Sequence, residues 1–187
     1  MPNVNRDGYK EYLEAHIKNA VFFDLDKNSN QMTDLPHMLT TSSDWEKIVS
    51  KMGISKDDEI VVYDNSDVLS SCRCWYNFIY FGHSDKLIHV LNGGLKKWKF
   101  ENKATTSKIT KINPTKYTSS ERKDLVKNKN EIKDIFKKTL GDNMSLNVVF
   151  SCGSGVTASV LALAYSLINN KYMPIIYDGS WAEYGRI

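Results

Sequence analysis

Two stretches of this chain repeat the same order of parts, and that repeat limits the folds open to it. Val61-Val62-Tyr63-Asp64-Asn65, a helical stretch, and Val90-Leu91-Asn92-Gly93-Gly94-Leu95-Lys96-Lys97-Trp98 form the first copy. Val148-Val149-Phe150-Ser151-Cys152, a helical stretch, and Ile176-Tyr177-Asp178-Gly179-Ser180-Trp181-Ala182-Glu183-Tyr184 form the second. Asn65 precedes Gly93 by 28 positions and Cys152 precedes Gly179 by 27. Each copy reads as strand, loop, helix, strand, glycine turn and aromatic, the mark of a duplicated βαβ-containing unit. Short apolar runs predict strands at Val21-Phe22-Phe23, Ile60-Val61-Val62-Tyr63, Ile88-His89-Val90-Leu91, Val148-Val149-Phe150 and Ile175-Ile176-Tyr177. Helices are expected over residues 45–52, with Asp44 as N-cap and Gly53 as stop, and over 71–80, 131–140 and 157–169. Strands alternating with helices predict an α/β fold with a mainly parallel sheet flanked by helices.

At 187 residues the chain has room for one domain of roughly 150 residues and a fraction of another. The 25 Lys+Arg against 22 Asp+Glu leave +3, too small a surplus to argue for nucleic acid. Residues 99–138 carry eleven lysines and Arg122 against five acids, and their polar early part, 102–113, reads as a solvated connector. The most apolar stretch, 160–168, is far short of the roughly 18 residues of a membrane span. The first residues lack the apolar core of a secretory signal, so a cytoplasmic protein without membrane partners is expected. Cys72, Cys74 and Cys152 fit neither a disulfide framework nor a zinc spacing. No metal or cofactor is expected. Cys72 and Cys74 read as small core residues. Trp45, Trp75, Trp98 and Trp181, with Tyr76, Tyr80 and Tyr184, read as core and turn anchors rather than a platform for bases.

The chemistry points to Ser151-Cys152-Gly153-Ser154-Gly155-Val156-Thr157-Ala158, which leaves a strand and opens a helix. Two glycines let successive N–H groups curl inward, and the helix start adds its positive dipole end. A cysteine at the mouth of such a nest has a lowered pKa and is a nucleophile. The same donors would hold a persulfide without a metal. Tyrosine-phosphatase-like loops instead require an arginine six positions after the cysteine, where this chain has Ala158, which disfavours phosphoester hydrolysis. A structural turn with an inert cysteine stays open at this point.

Cys152-Gly153-Ser154-Gly155-Val156-Thr157-Ala158 resembles the active-site loop of the 3-mercaptopyruvate sulfurtransferases of the rhodanese superfamily, and Tyr177-Asp178-Gly179-Ser180-Trp181 resembles the segment that follows it there. Glu14-Ala15-His16-Ile17-Lys18-Asn19-Ala20, Leu35-Pro36-His37-Met38-Leu39, Phe81-Gly82-His83 and Leu91-Asn92-Gly93-Gly94 are similar to that family's non-catalytic first domain. The resemblance spans about residues 9–100 and 131–187. It implies a rhodanese-like fold with an incomplete tandem repeat: residues 1–100 as a non-catalytic domain lacking its first strand, 101–130 as a Lys-rich linker, and 131–187 as the catalytic half of a second domain.

The resemblance also implies sulfur transfer, from 3-mercaptopyruvate through a Cys152 persulfide to cyanide, a small thiol or a thioredoxin-like protein. Thiosulfate is the second choice of donor, because thiosulfate-type relatives carry basic residues where this chain has Gly153 and Ser154. The residues Gly153, Ser154, Gly155, Val156 and Thr157 would form the substrate and persulfide loop, and Ser154, His37 and Asp26 fall on the family's proton relay. Equally compatible is a His37 that bonds backbone in a proline turn, with Asp26 a surface acid. Only 53 residues separate Trp98 from Cys152. That interval offers no evident opening strand for the second unit and no arginine but Arg122 to grip a substrate carboxylate. The alternative function is therefore a catalytically impaired rhodanese-like binding or regulatory module.

Overall fold

A computed structural model of the chain describes residues 6–66, 70–128, 130–131, 148–168 and 173–186. Helix α1 (Gly8–Glu14) and helix α2 (Ser42–Lys51) come first, followed by β1 (Ile60–Val62), α3 (Ser71–Tyr80), β2 (Ile88–Val90) and α4 (Gly94–Phe100). A short 3-10 turn (Lys123–Leu125) leads into β3 (Val126–Lys127), and the second half is β4 (Val149–Phe150), α5 (Ala158–Ile168), β5 (Ile175–Tyr177) and α6 (Ser180–Tyr184). Among the described residues every strand pairs in parallel, and the one antiparallel pairing is an isolated bridge between His16 and Thr106. Strand β1 pairs with β2, Ile60 opposite Ile88, and β5 lies between β3 and β4, with Ile176 opposite both Val126 and Phe150. The segments β1–α3–β2 and β4–α5–β5 therefore follow the same course, strand to helix to neighbouring parallel strand.

Among the described residues the halves do not close one sheet; they form a two-stranded and a three-stranded one. What unites them is packing. Helix α3 lies against α5, and one apolar cluster runs from Trp45, Phe78 and Phe81 to Ala158, Ala162 and Ile176. Trp45 stacks on Phe81 at 4.7 Å and meets the edge of Phe78 at 5.0 Å, the offset and edge geometries that aromatic quadrupoles favour. Nine of the ten residues of α3 are buried. That helix is the shared wall of both units.

Several expectations change. Val21-Phe22-Phe23 forms no ladder among the described residues; Phe22 packs on Tyr9 and Tyr12, and Phe23 on Trp45. Helix α2 is capped by Thr41, whose hydroxyl accepts the Asp44 N–H, and Asp44 lies in the first turn. The stretch 101–130 is more than a solvated connector: Tyr117 and Leu125 are core residues, and Val126 and Lys127 supply an edge strand. The Tyr76 hydroxyl reaches Leu125 O at 2.6 Å and Pro174 O at 3.0 Å, which ties that edge to the second unit. The helix expected over 131–140 lies outside the described residues beyond Glu131, as does Asn169 at the end of α5. Trp181 and Tyr184 are exposed and so are not core anchors, whereas Trp45, Trp75 and Tyr76 are buried.

Gly82 tests how tightly this packing is drawn. Its φ is +79, and a Cβ there would lie 2.4 Å from Ser120 O. Gly82→Ala is expected to cost about 1–3 kcal/mol from backbone strain alone, read as a lowered midpoint in thermal unfolding.

Candidate active site

Strand β4 delivers the chain to Cys152, and α5 carries it away six residues later. Between them the peptide groups are sorted by direction. The carbonyls of Cys152 and Gly153 accept N–H groups from Trp181 (2.8 Å) and Ala182 (2.9 Å) at the start of α6. The Ser159 hydroxyl holds Gly155 O at 2.8 Å. With the carbonyls occupied outward, the amides of Ala158, Ser154, Gly155 and Thr157 point at the Cys152 sulfur. Burial pushes the Cys152 thiol up, but these four donors together outweigh it and the pKa is lowered. The residue is half-buried and keeps access to solvent.

Only one of the two loop glycines is required by the turn. Gly155 has φ +77 and passes so close to Arg73 that a Cβ would lie 3.0 Å from Nη1, whereas a Cβ on Gly153 would meet nothing within 4 Å. Val156 is buried packing rather than a group open to a ligand. The Ala158 amide, which sequence reasoning passed over while noting the absent arginine, is among the donors because it opens α5. Because folding lowers the Cys152 pKa, its thiolate contributes stability that is fully present above the ordinary thiol value and is lost as pH falls through the folded one.

Cys72 and Cys74 behave oppositely. Burial raises them to about 11 and about 12, so both stay protonated and unreactive at neutral pH.

The first half brings the relay candidates to this loop. His37 Nδ1 lies 3.0 Å from Ser154 Oγ and His37 Nε2 2.8 Å from Asp26 Oδ1. A carboxylate accepts only, so Nε2 is the nitrogen placed to donate toward Asp26, which leaves Nδ1 facing the Ser154 hydroxyl. The three residues come from positions 117 and 11 apart. The His37 ring is 12% exposed and Asp26 is 69% exposed, so the ring bridges a covered hydroxyl and a solvated acid. Asp26 and His37 also line a cavity of about 630 Å³, together with Arg6, Tyr9, Tyr12 and Phe22.

The matching position in the first unit carries no nucleophile and is occupied by the chain itself. The Asp64 carboxylate accepts Ser71 N–H at 2.9 Å and the hydroxyls of Ser66 and Ser70 at 3.2 Å. An internal acid thus sits at the start of α3. The remaining arginines take separate places: Arg73 is fully buried, Arg122 Nη2 donates to His83 O at 3.3 Å, and Arg186 pairs with Asp34 at 2.7 Å.

A family model described as "Rhodanese-like domain" matches residues 6–101. The chain belongs to the rhodanese family. Its relatives extend the likeness into the second half. "Thiosulfate/3-mercaptopyruvate sulfurtransferase 1, mitochondrial" of Arabidopsis thaliana is 27% identical over 264 residues, covering 98% of this chain and 69% of that protein. The 3-mercaptopyruvate sulfurtransferase of Mus musculus is 27% identical over 246 residues, covering 98% of this chain and 82% of its own length. Both alignments are longer than this rhodanese chain of 187 residues, so each relative carries residues with no counterpart here. Among solved structures, Tum1 from Saccharomyces cerevisiae superposes with a TM-score of 0.85 at 21% identity, over 98% of this chain and 85% of that one. No helix among the described residues is long and apolar enough to cross a membrane.

Proposed function

We propose that the protein is a sulfurtransferase that takes sulfur from 3-mercaptopyruvate onto Cys152 and passes it to a thiol or to cyanide. The observation that carries this reading is the ring of four amides lowering the pKa of a half-buried Cys152. The names of the relatives in Arabidopsis thaliana and Mus musculus support the sulfurtransferase class.

In the first step the Cys152 thiolate attacks the donor sulfur, an S–S bond forms, and the donor C–S bond breaks with its electron pair going to carbon. The leaving group is the enolate of pyruvate. Its protonation to pyruvate uses the proton that the donor thiol gave up, carried through Ser154 Oγ and His37 Nδ1 with Asp26 holding the ring. No external oxidant enters, because the sulfur is oxidised as the carbon it leaves is reduced. The outer sulfur of the persulfide anion then lies where the amides hold negative charge. In the second step an acceptor thiolate attacks that sulfur and Cys152 leaves as thiolate. Gly153 and Ser154 are uncharged, which supports mercaptopyruvate over dianionic thiosulfate as donor.

Intact-protein mass spectrometry after incubation with mercaptopyruvate tests the reading. A gain of one sulfur atom, mapped to Cys152 and removed by cyanide as thiocyanate, is the expected result. Absence of the adduct and of pyruvate release sinks it and leaves a rhodanese-like binding module, the reading favoured by the residues that the relatives have and this chain lacks.

A further inference from the structure

Beneath the cysteine loop lies an ion pair that the chemistry above does not use. Arg73 on α3 and Asp178 just after β5 are 0% and 3% exposed, and Arg73 Nη2 donates directly to Asp178 Oδ1. Two buried ions seldom stabilise a core better than apolar side chains would, so what this pair touches is informative. It grips the His37 loop twice. Arg73 Nη2 also donates to His37 O at 2.8 Å, and Asp178 Oδ2 accepts Leu39 N–H at 3.0 Å.

The grip falls where the backbone needs it. His37 has φ 58, a left-handed conformation that a non-glycine residue keeps only when its surroundings over-determine it. Arg73 and Asp178 supply that constraint from either side of Met38. The same guanidinium underlies Gly155, whose Cβ position lies 3.0 Å from Nη1, and Gly155 follows Ser154. Both ends of the His37 to Ser154 hydrogen bond therefore rest on one buried pair, with Arg73 contributed by the first half and Asp178 by the second. Arg73 Nε and Nη1 make no hydrogen bond among the described residues, so the guanidinium is not arranged to satisfy itself.

We infer that Arg73 and Asp178 are positioning residues that fix His37 Nδ1 on Ser154 Oγ across the junction of the two halves. The consequence for rate rests on the sulfur-transfer reading; the geometric claim does not. The test compares Arg73→Met with Arg73→Lys in the full chain, folding being checked by circular dichroism. The first readout is the nitrogen-15 NMR spectrum of the His37 ring. In the unaltered protein Nδ1 and Nε2 give two distinct hydrogen-bonded signals; in Arg73→Met they move toward those of a freely exchanging imidazole, and Arg73→Lys, which keeps the charge but not the fork, lies between. The second readout is persulfide formation from mercaptopyruvate. It falls about tenfold to a hundredfold in kcat with KM little changed, and in a His37→Ala background Arg73→Met lowers it no further.

Unchanged His37 signals in folded Arg73→Met overturn the inference. Should Arg73→Met fail to fold, unchanged signals in Arg73→Lys overturn it in the same way. An unaltered protein that forms no persulfide sinks the sulfur-transfer reading, and the ring signals still decide the positioning claim.

Discussion

Replacing Cys152 with serine removes sulfur transfer to the background rate, a loss on the order of 10⁴-fold or more, the scale seen when an enzyme loses its nucleophile. The physical reason is the difference between the two atoms at the same site. Four amides that lower the pKa of a thiol cannot bring a serine hydroxyl, whose intrinsic acidity is far weaker, to the anionic form. An alkoxide is also a poor partner for sulfur. Folding is expected to be preserved, since serine fits the half-buried position and Cys152 N bonds Ser180 Oγ at 3.4 Å through its backbone alone. Steady-state pyruvate release and the mapped sulfur adduct both report the outcome. Cys72→Ser, at a site whose thiol is pushed up to about 11, leaves turnover unaltered.

The second large effect belongs to His37. His37→Ala is expected to slow persulfide formation by about 10²–10³-fold, within the range for a positioned acid-base group, while alkylation of Cys152 by a neutral reagent changes little. The split is expected because the amides, not the imidazole, face the Cys152 sulfur, whereas in the proposed mechanism the donor's proton moves by way of Ser154 and His37. His37→Gln keeps a hydrogen-bonding group near Ser154 but cannot carry the proton, so it stays as slow as His37→Ala. Stopped-flow measurement of pyruvate release with each variant checks this. A variant that loses transfer and alkylation in equal measure would mean that His37 supports the loop rather than the proton.

Much of this site was legible because its parts lie in one short run. Strand, cysteine, glycine and helix start follow each other within residues 149–158, so periodicity and glycine chemistry place them together without tertiary information. Helix α3 was legible for the same reason, its bounds, Ser71–Tyr80, agreeing with the apolar pattern. The meeting of His37 with Ser154 was not derivable from periodicity. It depends on how two halves pack, and only the family resemblance suggested it.

Other features were hidden by competing physics. Val21-Phe22-Phe23 has a strand's composition, yet its rings are claimed by Tyr9, Tyr12 and Trp45, so burial is won by stacking instead of by a ladder. Strand β3 is two residues long and set in a lysine-rich run, and its only signal is that Leu125 and Val126 stand together. Thr41 and Asp44 are both good caps in sequence, and the geometry that makes Thr41 the cap belongs to the chain's entry into α2. Arg73 reads as one polar residue in an apolar helix. Its partner lies 105 positions away, beyond any local pattern.

In the folded chain, peptide amides lower the pKa of the Cys152 thiol. The most direct measurement is the rate of Cys152 alkylation as a function of pH, followed peptide by peptide in the folded protein and again in denaturant. The folded midpoint is expected to lie below the denatured one, which should be near the ordinary thiol value of about 8.5, with Cys72 and Cys74 silent until the chain unfolds. A folded midpoint equal to or above the denatured one would contradict it.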